Sequence, residues 1–134
     1  MTERYEASRA PVAVQKWQQS LQRHTPLIET EWQERLQVLA MFCDYVAHTP
    51  DAIIAACVQE TASGKTINTR GRRHYSAQIE AFQAQVGGDQ RRQVHCGNIV
   101  RSFLIHNGVM LQAGWQYKRD RRESRGEAEG IEFP

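Results

Sequence analysis

Residues 30–46 read TEWQERLQVLAMFCDYV, and their spacing decides the fold class. Trp32, Leu36, Leu39 and Cys43 recur at i, i+4, i+7 and i+11, and Phe42 and Val46 widen the stripe. That is the 3.6-residue period of a helix with one face in a core. Upstream, Val14, Trp17 and Leu21 keep the same period from Pro11, a residue suited to the first helical position. This first helix should end near His24, because Thr25-Pro26 removes a backbone donor and forces the preceding residue out of the α region. Downstream, Thr49-Pro50-Asp51 combines a hydroxyl cap, proline at N1 and a carboxylate in the positive first turn. It predicts a third, shorter helix to about Val58, whose apolar Ile53, Ile54, Cys57 and Val58 place it between neighbours.

Residues 61–72, with Ser63-Gly64 and Gly71, read as a loop. Tyr75, Ile79, Phe82 and Val86 then define a fourth helix, stopped by Gly87-Gly88. Asp89 caps a fifth, which turns Val94, Cys96, Val100, Phe103 and Leu104 to the core and ends at Asn107-Gly108. Val109, Met110 and Leu111 should pack back onto the bundle. No segment alternates apolar and polar residues over four or more positions, so no strand is expected. The reading is an all-α, compact bundle of four to five helices.

A chain of 134 residues fits one domain with enough core to stand without a disulfide or structural metal. The expected organisation is an N-terminal tail over 1–10, the bundle over 11–113, and a flexible linker or tail over 114–134. The last stretch, GWQYKRDRRESRGEAEGIEFP, is too rich in charge and glycine to bury a core of its own. Three separated cysteines, Cys43, Cys57 and Cys96, form neither a disulfide framework nor a zinc motif, which fits a reducing, intracellular setting. No apolar run approaches the ~18 residues of a membrane span, and MTERYEASRA lacks a signal peptide's hydrophobic region.

Catalytic motifs are scarce. None of the five histidines sits in H-E-x-x-H, G-x-S-x-G is absent, and S-G-K-T at 63–66 lacks the earlier glycine of a P-loop. No cofactor and no small-molecule substrate are expected. His95-Cys96 are helix neighbours pointing about 100° apart, which makes Cys96 a core residue and not half of a metal site.

Charge is unevenly distributed. Residues 1–64 hold five Lys/Arg and eight Asp/Glu, residues 65–122 hold eleven and three, and residues 123–134 hold one and four. The middle section is therefore strongly basic, as expected of a domain with one polyanion-facing side. Arg70, Arg72 and Arg73 crowd the entry to the fourth helix, and Arg91 and Arg92 occupy the first turn of the fifth. Arginine at a helix N-terminus opposes the macrodipole, whereas a bound phosphate there would be favoured by dipole and guanidinium alike. From Arg91, His95, Asn98 and Ser102 continue a polar stripe opposite the apolar one, a candidate groove-facing surface. A merely solvated face is the competing explanation.

Two blocks resemble a known module. ETEWQERLQVLAMF, opened by Ile28 and followed by Thr49-Pro50-Asp51-Ala52-Ile53-Ile54, is similar to the aromatic, leucine, phenylalanine helix and P-D-x-L-I turn of the N-terminal core-binding (SAM-like) domain of tyrosine recombinases, the phage integrase family. RRQVHCGNIVRSFLIHNGV, from Arg91 to Val109, is similar to that domain's last helix, with its R-S-F and terminal N-G. Together the blocks span about residues 14–111.

The resemblance implies a non-catalytic half of a clamp around double-stranded DNA, closed by a catalytic domain on the other side, with self-association in a recombination synapse. It also implies a prokaryotic or phage-type cytoplasmic, nucleoid-associated setting. The family's catalytic set is an arginine, a His-x-x-Arg and a tyrosine, and no histidine here is followed three positions later by arginine, so this chain should not cut DNA. Arg91, Arg92, His95 and Asn98 match the family's groove-facing helix start, to which charge alone adds Arg70, Arg72 and Arg73. The second helix departs from the pattern, opening with Glu29, Glu31 and Glu34 where the family presents polar or basic groups. A small helical protein-interaction domain is the alternative function, since fold does not fix function.

Overall fold

A computed structural model describes residues 10–111; of the expected N-terminal tail only Ala10 is described, and it is buried in the core, while the rest of that tail and the linker lie outside the described residues. The elements are α1 (Val12–His24), α2 (Glu29–Val46), α3 (Pro50–Cys57), β1 (Val58–Thr61), β2 (Gly64–Ile67), α4 (Thr69–Val86) and α5 (Gln90–His106). The chain is a mostly helical bundle, as the periodicity predicts. Trp17 centres one end of the core, its ring meeting Trp32 at 5.1 Å and Phe103 at 5.5 Å, both edge-on. Phe42 and Phe82 join α2 to α4 in the same edge-to-face manner at 5.2 Å. Trp32, Leu36, Phe82, Val100 and Phe103 are all buried, and so is Cys96.

The helix ends follow the sequence signals closely. Thr49 Oγ1 accepts from Ala52 N, Asp89 Oδ1 accepts from Arg92 N, and Gly87 and Gly88 take φ values of 76° and 81° after α4. At the end of α5 the positive φ falls on Gly108 alone. Asn107 stays at φ −101° and uses its side chain instead, donating to Phe103 O and to Ala13 O. Val109 is fully buried and Leu111 partly so, while Met110 points to solvent.

Three expectations need correction. The segment read as a loop contains an antiparallel hairpin, β1 paired with β2 in the register Val58↔Ile67 to Thr61↔Gly64. Its strands are four residues long and their side chains are exposed except Val58 and Ile67 at the base, so no burial alternation is written into the sequence. Residues 69–72 are helical and not loop, because Asn68 caps α4 by accepting from Gly71 N. Helix α3 ends at Cys57, as expected to within a residue, but is not enclosed: Pro50, Ile53 and Cys57 are buried, whereas Asp51, Ala52, Ala55 and Ala56 face solvent. Alanine reads as apolar in a pattern while exposing too little surface to require burial.

Helices α4 and α5 form an antiparallel pair joined by Gly87-Gly88-Asp89. Gly97 of α5 lies against Gln83 of α4, where a Cβ would overlap the Gln83 amide, and Arg72 Nη1 at the start of α4 donates to Met110 O just beyond α5 at 3.2 Å. This pair carries every residue of the candidate surface.

Candidate nucleic-acid interface

The antiparallel arrangement sets where the arginines fall. Arg91 and Arg92, in the first turn of α5, stand beside the C-terminal end of α4, whereas Arg70, Arg72 and Arg73 stand at the opposite end of the pair. At 1.5 Å of rise per residue the two groups are roughly 20 Å apart. They bracket the hairpin of helices and do not form one patch. Arg70, Arg73, Arg91 and Arg92 are exposed. Arg72 is half-buried and serves the fold through its bond to Met110 O.

Along α5 the polar stripe faces outward as its spacing requires: Arg91, His95 and Asn98 are exposed, and Ser102 is half-buried. Its members differ in freedom. Ser102 Oγ accepts from Trp17 Nε1 at 3.1 Å, so this end of the stripe satisfies a core indole. Asn98 Oδ1 accepts from Arg101 Nη1 at 3.0 Å, and because a guanidinium can only donate, the amide's Nδ2 donors take no part in this bond. In the sequence Arg101 stands only as part of R-S-F. It is buried at the α4–α5 seam and also donates to Gln83 Oε1 at 2.7 Å. The legible sign was an arginine three residues after an asparagine, a helical neighbour pair.

His95 Nε2 lies 3.3 Å from Glu34 Oε2, which brings the acidic start of α2 onto the same face. The two other carboxylates there have local tasks: Glu29 accepts from Gln33 Nε2, and Glu31 accepts from the Ile28 backbone N–H at the start of the helix. Beneath this corner, burial raises the Cys96 thiol above its usual range, with Arg92 opposing and Glu34 reinforcing the shift. Cys96 lies one turn after Arg92 on α5 and next to His95, which meets Glu34 of α2. Burial likewise pushes the Cys57 thiol up to about 11, against the pull of the Arg72 charge. Both thiols are poor nucleophiles at neutral pH.

Among the described residues no group of three or more His, Cys, Asp or Glu could hold a metal ion, and no single helix is long and apolar enough to cross a membrane. A shallow depression of about 440 Å³, lined by residues including Cys43, His48 and Pro50, contains none of the candidate surface residues. Comparison with known protein families, curated proteins and solved structures finds no match to this chain.

Proposed function

We propose that the chain is a duplex-DNA-binding domain of the tyrosine recombinase core-binding type, which presents the N-terminal half of α5 to the major groove and cuts no strand itself. The observation that carries this reading is the pair of exposed arginines, Arg91 and Arg92, in the first turn of α5, where the one carboxylate at the helix start is the N-cap Asp89, already engaged by the Arg92 backbone N–H. They oppose the helix dipole, a cost that phosphate oxygens would offset. Arg70 and Arg73 repeat the arrangement at the start of α4, without an acidic residue in the turn. A spacing of roughly 20 Å between the groups exceeds the ~12 Å major-groove width, so contacts at the two ends straddle the groove while His95 and Asn98 lie nearer the bases. In the resembled family a catalytic domain closes the clamp from the far side.

Titration of a fluorescent random-sequence duplex across salt concentrations tests the reading. With four to six phosphates neutralised, log affinity falls against log salt with a slope of roughly −4 to −5, and Arg91→Ala reduces it by about 1. The protein-interaction alternative draws on Met41 and Tyr45, exposed one turn apart on α2, and predicts no salt-sensitive duplex binding.

A further inference from the structure

We infer that Glu34 is a specificity-determining residue, which selects cytosine at one position of the bound duplex by accepting a hydrogen bond from its exocyclic amine. The inference rests on the DNA-binding reading above.

Glu34 is the one carboxylate at the start of α2 turned to α5. Its Oε2 lies 3.3 Å from His95 Nε2, with the two side chains 51% and 48% exposed. Glu29 and Glu31 are engaged within α2 itself. An ion pair this exposed adds little stability, about 0–1 kcal/mol. On a surface otherwise arranged for phosphate, a carboxylate weakens every backbone contact near it. Its presence beside His95 is explained by a contact that only an acceptor can make. An ionised carboxylate accepts and cannot donate, so it is repelled by the acceptor edges of guanine and thymine; of the two major-groove amines, adenine N6 is flanked by the N7 acceptor of the same base, which leaves cytosine N4 as the better match. His95 contributes through the contact of its Nε2 with Oε2, which biases the carboxylate's direction while its remaining lone pairs stay available.

The test is selection of binding sites from random duplexes by the full chain, in wild type and in Glu34→Gln, followed by affinities for the selected site with single base-pair changes. Glu34→Gln keeps the shape and replaces one acceptor oxygen with a donor. Wild type is expected to enrich a C·G pair with a preference of at least roughly fivefold, the lower limit for a good base contact. In Glu34→Gln that preference falls below twofold, while affinity for the unselected pool stays level or rises because a phosphate-repelling charge is gone. Unchanged cytosine preference in the variant, or an equal loss of affinity on all duplexes, overturns the inference and leaves DNA binding standing. Absence of salt-sensitive duplex binding by wild type overturns both.

Discussion

Asp51, in the first turn of α3, accepts the backbone N–H of Ala13, in the first turn of α1, at 2.8 Å. Helix α1 begins after Pro11, which offers no capping side chain, so its otherwise unpaired Ala13 N–H is satisfied by a carboxylate 38 residues away. The same carboxylate lies in the favourable field of its own helix N-terminus. Asp51→Ala should therefore cost about 1–2 kcal/mol, the range of a lost N-terminal cap, and Asp51→Asn distinctly less because an acceptor remains. Chemical denaturation midpoints of the two variants check this ordering.

Two glycines mark close helix approaches, and they should respond differently to a methyl group. A Cβ at Gly71 would collide with the Ala56 backbone carbonyl, which cannot move without shifting α3, whereas at Gly97 it would meet the Gln83 side-chain amide. Gly71→Ala is expected to cost about 1–3 kcal/mol as overpacking. Gly97→Ala should cost less, since Gln83 can turn away, though at the expense of its bond from Arg101. Equal thermal shifts in the two variants would contradict this account of the α3–α4 contact.

The C-terminal ends of α1 and α5 meet at a histidine pair. His106 Nδ1 lies 2.6 Å from Ser20 Oγ, and the His24 ring is 6.0 Å away. Burial lowers the His106 pKa from its ordinary 6.5, and the neighbouring His24 and Arg23 lower it further. The folded state therefore takes up this proton less readily than the unfolded chain. The contribution is fully present above pH 6.5 and is lost as pH falls from there through the folded-state value. Stability measured between pH 7.5 and 5 should decline for wild type, and His106→Gln should flatten that decline. An identical pH profile in the variant would assign the acid sensitivity elsewhere.

The helices were legible because each repeats an apolar stripe and ends in residues with a specific backbone reason to be there, such as Thr49, Gly87 and Asp89. The hairpin was not, because Gln59, Glu60, Lys65 and Thr66 face solvent and no burial period exists to read. Likewise the arginines were identifiable by residue type, but their division between two ends of the α4–α5 pair depends on the antiparallel packing. Glu34 stood out only as a departure from the resembled pattern. Its position against His95, 61 residues later, is a tertiary fact that neither helix states alone.

The most direct measurement of the central claim compares two charge-reversed double mutants on one duplex at one salt concentration. Arg91→Glu with Arg92→Glu changes the N-terminal end of α5, whereas Lys16→Glu with Arg23→Glu makes the same change in charge on exposed positions of α1, where Arg23 lies near His106 at the other end of α5. The account predicts that the α5 pair loses duplex affinity by at least roughly tenfold more, through lost phosphate contacts at the groove-facing end. Equal losses in the two double mutants would show attraction to be diffuse and would contradict the assignment of α5 as the DNA-facing helix.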